Sequence, residues 1–199
     1  MRLLLIIRGW TCRGSIAFLE TWKRVQENAY APSYDMEDFS VFTDGERTVL
    51  DGLARRGVRF MLVGLSAAVL QGANTATRDI DIWFEDISDE RIGEAVKEAN
   101  GIWVSGSFGM RPPQIGGDAV GDRLDVVVHM HGLGTFQEEV TNSTIVHVDG
   151  VDLRVLKLER IIASKRAAGR SKDLAAIPAL EEALAVLADS TEPITPRRP

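Results

Sequence analysis

The first feature of the chain is the order of its apolar patterns, in which short apolar runs alternate with segments of helical period. Apolar side chains recur at helical spacing after Thr43 or Asp44, either of which can cap a helix with Glu46 in its first turn. This pattern predicts a helix that Gly57 ends. The run "RFMLVG" (59–64) predicts a buried strand, and "LSAAVLQG" (65–72) predicts a short helix directly behind it. Strands and helices that alternate in this way predict an α+β fold, with a mixed β-sheet flanked by helices and a C-terminal helical segment.

The next apolar run, "TRDIDIWFED" (77–86), predicts another strand, in which Trp83 and Phe84 are expected to be core residues. The segment "SDERIGEAVKEANG" (88–101) predicts a helix with Ser88 as its N-cap. Further along, the pattern predicts strands within 102–106 and 122–130 with an irregular loop between them, a hairpin that turns at Asp149-Gly150, and helices over 158–188 with breaks near 169–173 and at Pro178.

These elements divide the chain into regions of different character. Residues 1–35 form an N-terminal extension without a clear period, and residues 36–153 form the expected core. A helical segment follows over 154–189, and the proline-rich tail 190–199 is expected to be disordered. Because Met36 opens the patterned part of the chain, two readings of 1–35 stay open: a native segment or an upstream extension.

Composition constrains the class of protein and the compartment in which we expect it. An apolar fraction of 45% over 199 residues is enough for a hydrophobic core. A single cysteine, Cys12, excludes an internal disulfide and suits a reducing cytosol; it also has no neighbouring base to make it a nucleophile. The apolar start "MRLLLII" stops at Arg8, and no run reaches the about 20 residues that span a bilayer. We therefore expect a cytoplasmic protein with no membrane partner.

Charge is unevenly distributed along the chain. The net charge of −6 argues against a broad nucleic-acid-binding surface. Residues 154–172, in contrast, carry seven Lys or Arg and one acid, Glu159. This basic helical stretch fits the recognition of a few phosphate groups, and equally a solvated helix face.

Two acids lie inside an apolar strand, where acids are rare and costly to bury. Asp79 and Asp81 are two residues apart, so an extended backbone points both carboxylates to the same face. Like charges held side by side repel unless a cation lies between them. Oxygen ligands suit Mg²⁺ (or Mn²⁺), usually shared with substrate phosphates, so the pair predicts a divalent metal site.

The turn before these acids has the chemistry of a phosphate site. In "VGLSA", Gly64 allows a close backbone bend, and Ser66 lies at the start of a helix whose unpaired N–H groups favour anions. Asp125, in "RLDVVV", offers a third carboxylate. It either completes a two-metal site or acts as base on an attacking hydroxyl. Ordinary turn chemistry at Gly64 and Ser66 is the competing reading, as is an ion pair of Asp125 with Arg123 or Arg111.

With these residues in order, the chain resembles the nucleotidyltransferase superfamily related to DNA polymerase beta. The family pattern is a strand, Gly followed by Gly or Ser, a gap, and then Asp-h-[Asp/Glu]-h, where h is apolar. Here Gly64 and Ser66 precede Asp79-Ile80-Asp81-Ile82, with twelve residues between Ser66 and Asp79. The sequence departs from the pattern at Leu65, where the family has Gly or Ser.

A second block, "VLKLERIIASKRAAGRSKDLAAIPAL" (155–180), resembles the helical segment of small bacterial nucleotidyltransferase-like proteins, including abortive-infection-type toxins. The residues that match are Lys165, Arg170, Lys172 and Asp173. The resemblance implies a nucleotide-binding role for these residues, in which Lys165 contacts phosphate and Asp173 supports the site. The two blocks together cover roughly 39–180.

The resemblance implies a metal-dependent nucleotidyltransferase that moves a nucleoside monophosphate from a nucleoside triphosphate to an acceptor hydroxyl. The acceptor stays open between tRNA, a protein and a small molecule such as an aminoglycoside. A toxin masked by an antitoxin partner would use the same chemistry. The alternative is a non-catalytic nucleotide-binding or interaction protein that retains the fold, for which Leu65 is the main support.

One histidine pair adds a smaller alternative. His129 and His131 alternate like strand residues just after Asp125, while His147 lies far along the chain. A zinc site needs more ligands at close spacing, so zinc is the less favoured use of this pair.

Overall fold

The computed structural model describes residues 40–106 and 113–191, with side chains as far as 189. The expectations for 1–35, Cys12 and Met36 lie outside the described residues, as does that for Arg111. The same holds for the disorder expected from 192 onward.

Helices and strands alternate along the described chain, and we number each kind in chain order. The helices are α1 (Asp44–Arg55), α2 (Gly64–Leu70), α3 (Glu90–Glu98), α4 (Phe136–Glu139), α5 (Leu158–Ala168) and α6 (Ser171–Thr191). The strands are β1 (Phe60–Val63), β2 (Ile80–Phe84), β3 (Ile102–Val104), β4 (Gln114–Gly116), β5 (Leu124–Val127), β6 (Ser143–Val148) and β7 (Val151–Leu156).

A five-stranded mixed sheet with the strand order β5-β2-β1-β7-β6 is the centre of the fold. β1 is antiparallel to β2 and parallel to β7, β2 is parallel to β5, and β6 is antiparallel to β7. β3 and β4 form a separate antiparallel ribbon. Helices flank the sheet, so the predicted α+β class is confirmed. No helix in the described ranges is long and apolar enough to cross a membrane.

The hydrophobic core surrounds the central strand. Every residue of β1 is buried, as expected for a strand with neighbours on both edges. Trp83 and Phe84 are 5% and 3% exposed, which confirms them as core residues. Trp83 packs edge-on against Phe136 with ring centroids 5.7 Å apart, a favoured aromatic geometry.

Two local predictions are confirmed by backbone detail. α1 starts at a capping box, in which the Thr43 hydroxyl accepts from the Glu46 amide and the Glu46 carboxylate accepts from the Thr43 amide. The β6–β7 hairpin turns at Asp149 and Gly150, both with positive φ, as a two-residue turn of the primed type requires.

Three local predictions were wrong. The N-cap of α3 is Asp89, whose carboxylate accepts from the Arg91 amide, while the Ser88 hydroxyl donates to Asp86. Pro178 does not break the last helix: α6 continues past this residue, because its packing along α5 stabilises it. Residues 114–116 form strand β4, within the segment predicted as an irregular loop, because they pair with β3.

The predicted boundary at residue 153 falls within β7, which pairs with β1 and β6. The last strand of the sheet therefore leads directly into α5, with Lys157 as the connecting residue. The helical segment is thus joined to a neighbour of the central strand β1, and β1 and β2 lie between that neighbour and β5.

Candidate functional site

Strand pairing brings two of the predicted acids together. Val63, at the end of β1, is opposite Asp81 near the start of β2, and Asp81 is opposite Asp125 near the start of β5. Because β1 is antiparallel to β2, and β2 is parallel to β5, the end of β1 and the starts of β2 and β5 lie at the same end of the sheet. Asp79 lies just before β2 on the same edge and is exposed.

Gly64 lies directly against the Asp81 carboxylate. Its φ is +63°, and a Cβ built on it would lie 2.0 Å from Oδ2 of Asp81. This position combines a backbone conformation that favours glycine with a contact that leaves no room for a side chain. Glycine at the turn therefore lets the β1–α2 backbone approach the acid closely.

Ser66 is buried, and its hydroxyl is used within the protein. Oγ donates to the Val63 carbonyl at 3.0 Å and accepts from the Asp81 amide at 3.2 Å. The side chain thus ties the end of β1 to the start of β2 beside the acids. A phosphate contact by Ser66 stays a prediction, and the observed hydrogen bonds give its hydroxyl a second role in fixing Asp81.

Burial and neighbouring negative charge raise the pKa of Asp81 and of Asp125. Burial, followed by the negative charges of Asp125 and Asp79, raises the pKa of Asp81 to about 6, although Lys165 and Lys172 oppose the shift. Asp125 is more exposed, yet partial burial and the charge of Asp79 raise its pKa as well. Keeping these two carboxylates ionised in the folded protein therefore costs free energy, as expected at a site that binds a cation.

Two cations meet a buried acid at the junction of α5 and α6. The Lys165 Nζ donates to Oδ1 of Asp173 at 3.1 Å, and the Arg170 Nε donates to Oδ2 at 2.5 Å. Asp173 is 3% exposed; burial alone would raise its pKa, but the two hydrogen bonds outweigh burial and lower it. Gly169 ends α5 in the left-handed region, and this turn folds α6 back onto α5.

Lys165 is largely buried, with a side chain that is 13% exposed. Such burial distinguishes Lys165 from a surface lysine whose ammonium group reaches bulk solvent. Arg170 and Lys172 are exposed and remain accessible to a ligand.

One cavity of about 320 Å³ joins the two sequence blocks. It is bounded by the β1–α2 turn, the acids, the end of β5 and the α5–α6 junction. The predicted site residues that line it are Gly64, Asp79, Asp81, Lys165, Arg170, Lys172 and Asp173. Ser66 and Asp125 are not part of the lining, although each contacts or pairs with Asp81.

The sequence interpretation left His129 and His131 without a role, yet both line this cavity. Their rings meet edge to face with centroids 5.5 Å apart, on either side of the buried Met130. Gly132 brings this segment against α5, since a Cβ there would lie 2.4 Å from Cβ of Ala167. The available signal was that "VHMH" (128–131) directly follows the apolar run that carries Asp125, although β5 itself ends at Val127.

The competing prediction, an ion pair of Asp125 with Arg123, was wrong. The Arg123 guanidinium instead donates to the Glu46 carboxylate and to the Arg78 carbonyl. The carboxylate of Asp125 is therefore not neutralised by its neighbour along the strand.

With the geometry established, comparison with known proteins identifies the family. The family described as nucleotidyl transferase of unknown function (DUF2204) matches residues 43–189, well over half of the chain. The chain belongs to this family. Its assignment as a nucleotidyl transferase confirms the resemblance to the nucleotidyltransferase superfamily, and places the protein among enzymes that use a nucleoside triphosphate and an acceptor.

Three solved structures are similar to this nucleotidyl transferase. A crystal structure of ANT(2")-Ia in complex with adenylyl-2"-tobramycin is 15% identical with a TM-score of 0.48, covering 72% of this chain and 92% of that one. A solution structure of the antibiotic-resistance factor ANT(2")-Ia is also 15% identical with a TM-score of 0.48, and the match covers 72% of this chain and 87% of that one. A crystal structure of an antigenic nucleotidyltransferase-like protein from Paracoccidioides brasiliensis is 16% identical with a TM-score of 0.43, and the match covers 75% of this chain and 90% of that one. No curated protein matched significantly.

The acids of this nucleotidyl transferase suit a metal shared with substrate. Within the described ranges, no three His, Cys, Asp or Glu side chains converge as a complete set of metal ligands. Mg²⁺ is commonly held by one or two carboxylates, with substrate phosphates and water as its other ligands. Asp79 and Asp81 both line the cavity, and their carboxylate oxygens fit that donor set.

Proposed function

We propose that the protein is a metal-dependent nucleotidyltransferase, which transfers a nucleoside monophosphate from a nucleoside triphosphate to an acceptor hydroxyl. The observation that supports this most directly is the cavity in which Asp79 and Asp81 face the cations of α5 and α6. The nucleotide would lie between the core (36–153) and the helical segment (154–189), each contributing one side of the site. We place the reaction in the cytoplasm.

In this proposal Asp79 and Asp81 would hold Mg²⁺ (or Mn²⁺), with the phosphates of the nucleotide as further ligands. The bound metal would neutralise charge that develops on the phosphate and the departing pyrophosphate. Lys165, Arg170 and Lys172 hold the other phosphates, and Asp173 fixes the first two of these cations by its hydrogen bonds.

Asp125 is the proposed base for the acceptor hydroxyl, or else a ligand to a second metal. As a base it takes the hydroxyl proton while the oxygen attacks the α-phosphorus and pyrophosphate leaves. Its position opposite Asp81 on the edge strand β5 supports an acceptor approaching from that side. Because its pKa is raised, Asp125 accepts a proton more readily than an ordinary surface carboxylate does.

The acceptor is proposed as a hydroxyl on tRNA, a protein or a small molecule. His129 and His131 extend the cavity beyond the acids and offer polar, aromatic contacts to whichever group enters there. If the protein is a toxin with an antitoxin partner, its expression should slow growth, and Asp79→Ala should remove that effect. An unchanged growth rate would favour a small-molecule acceptor or a housekeeping role.

The deciding experiment is calorimetric titration of each nucleoside triphosphate with and without Mg²⁺, beside an Asp79→Asn/Asp81→Asn variant. We expect binding that requires Mg²⁺ and is lost in the variant. A labelled nucleotide then identifies the acceptor among tRNA, protein and aminoglycoside fractions. Absence of binding by the wild-type protein would instead support an interaction protein that retains the fold, for which Leu65 at the cavity wall is the supporting residue.

Lys165→Met is expected to weaken nucleotide binding about tenfold to a hundredfold, because it removes a largely buried cation from the phosphate side of the cavity. Asp173 keeps Arg170 as a partner, so the fold should persist. The measurement is the dissociation constant of the Mg²⁺–nucleotide complex. Lys97→Met, on the solvent side of α3, is the matched control and should bind like the wild type. Equal affinities in all three proteins would remove Lys165 from the site.

A further inference from the structure

Arg123 forms hydrogen bonds with the backbone on both sides of Asp79. Its Nε donates to the Arg78 carbonyl at 2.9 Å, and its own carbonyl accepts from the Ile80 amide at 2.6 Å. Asp79 itself lies outside β2, in a segment whose nearest side-chain support is Thr77. The position of the Asp79 carboxylate therefore depends on the residue that holds Arg78 and Ile80.

Glu46 fixes the other end of Arg123. The Arg123 Nη1 donates to Oε2 of Glu46 at 3.2 Å, and the same oxygen accepts from the Thr43 amide at 2.9 Å. Glu46 is 0% exposed, and its Oε1 has no hydrogen-bond partner in the described part of the chain. A carboxylate buried this completely is costly unless a cation faces it.

A buried ion pair is weak evidence of net stability, so its retention points to another use. The pair joins α1 to the start of β5 and to the segment that carries Asp79, three parts distant in sequence. Arg123 also lies near Asp79 around a small cavity, where a positive charge by itself opposes the binding of a cation. Any favourable effect on metal binding must therefore come from geometry.

We propose that the Glu46–Arg123 pair is a positioning device that holds Asp79 in place to bind the divalent metal together with the nucleotide. This inference rests on the proposed function. Groups that orient metal ligands without touching the metal commonly change its affinity by about 10–100-fold. Neither Glu46 nor Arg123 contacts the metal in this arrangement; both act through the backbone around Asp79.

The test is Arg123→Lys, which keeps the charge but loses the planar fork that spans Glu46 and the Arg78 carbonyl. The chain supplies a matched control in Arg160, whose guanidinium donates to the buried Glu139 at 2.7 and 2.5 Å. Arg123 and Arg160 are similarly shielded, with side chains 28% and 33% exposed. Arg160→Lys therefore removes an equivalent fork outside the cavity lining.

The readout is Mn²⁺ affinity by electron paramagnetic resonance with a non-hydrolysable nucleoside triphosphate analogue, well below the unfolding temperature of each variant. We expect about tenfold weaker Mn²⁺ binding in Arg123→Lys and wild-type affinity in Arg160→Lys, with comparable losses of thermal stability. Wild-type affinity in Arg123→Lys, or an equal loss in both variants, would overturn the inference while leaving the proposed function intact.

A second variant covers the case in which Arg123→Lys does not fold. Glu46→Gln keeps the shape of the side chain and removes its charge, and we expect Mn²⁺ binding to weaken in the same direction. Unchanged Mn²⁺ affinity in Glu46→Gln would then overturn the inference. Failure of the wild-type protein to bind Mn²⁺ with nucleotide would overturn the proposed function, and this inference with it.

Discussion

Asp81→Asn is expected to lower kcat/KM by about 10³-fold or more, a loss equivalent to about 4 kcal/mol of transition-state stabilisation. Asp81 is the acid that Gly64, Ser66 and the pairing with Asp125 all hold in place. Asparagine keeps the size of the side chain and one oxygen, but it removes the charge that holds a divalent metal. Mg²⁺-dependent nucleotide binding should weaken accordingly.

The same substitution should stabilise the metal-free protein at pH 8. The pKa of Asp81 is about 6 in the folded protein against an ordinary value of 3.8. Between these values the folded state binds the proton that the unfolded state has released, so stability falls as pH rises from about 4 to 6. The shift corresponds to about 3 kcal/mol, which Asp81→Asn should recover in large part above pH 6.

Chemical denaturation of both proteins at pH 4 and pH 8, without added metal, measures this effect. The wild-type protein should lose more stability between the two pH values than the variant does. Asp152→Asn, an exposed acid on β7 that is 2.8 Å from His147, is the control and should keep activity. An Asp81→Asn protein that retains Mg²⁺-dependent turnover would exclude Asp81 as a metal ligand.

Gly64→Ala is expected to remove most activity and to cost about 2–4 kcal/mol of folding free energy. A Cβ at this position would lie 2.0 Å from Oδ2 and 2.8 Å from Cγ of Asp81, so the carboxylate must move. The φ of +63° adds about 1–2 kcal/mol of strain for any other residue. Because the displaced group is the proposed metal ligand, metal affinity should fall together with stability.

Gly72→Ala separates the two causes. Gly72 also has a positive φ, +93°, but a Cβ there would have no neighbour within 4 Å. It should lose stability through backbone strain while Mn²⁺ binding and turnover stay near wild type. The measurements are urea denaturation and Mn²⁺ titration of both variants. Equal retention of metal binding in Gly64→Ala and Gly72→Ala would show that the contact with Asp81 does not control the site.

Local sequence information predicted part of the site correctly. The alternation of Asp79 and Asp81 with apolar residues predicted both acids on a strand after a glycine turn, because strand period is a property of neighbouring residues; in the structure Asp81 lies in β2 and Asp79 just before it. The cap of α1 at Thr43 was predictable for the same reason, since its hydrogen bonds with Glu46 close within one helical turn. The resemblance of the second block to known proteins singled out Lys165, which lines the same cavity as the acids.

Two local predictions failed because a competing interaction outweighed the local preference. Ser88 is an adequate N-cap by type, but its hydroxyl donates to Asp86, and Asp89 is the N-cap of α3 instead. Pro178 usually ends a helix, yet α6 gains enough packing along α5 to continue past it.

The sequence by itself determined most of the elements, the turn at Gly64 and the position of Asp81 on the strand that follows it, since period, capping and turn chemistry act within a few residues. Tertiary structure alone decided that Asp125 is opposite Asp81, that His129 and His131 line the same cavity, and that Arg123 grips Glu46 instead of Asp125. These contacts join residues 40 to 80 positions apart. They follow from which strands pair and which side chains must be neutralised once buried, and no local pattern specifies either.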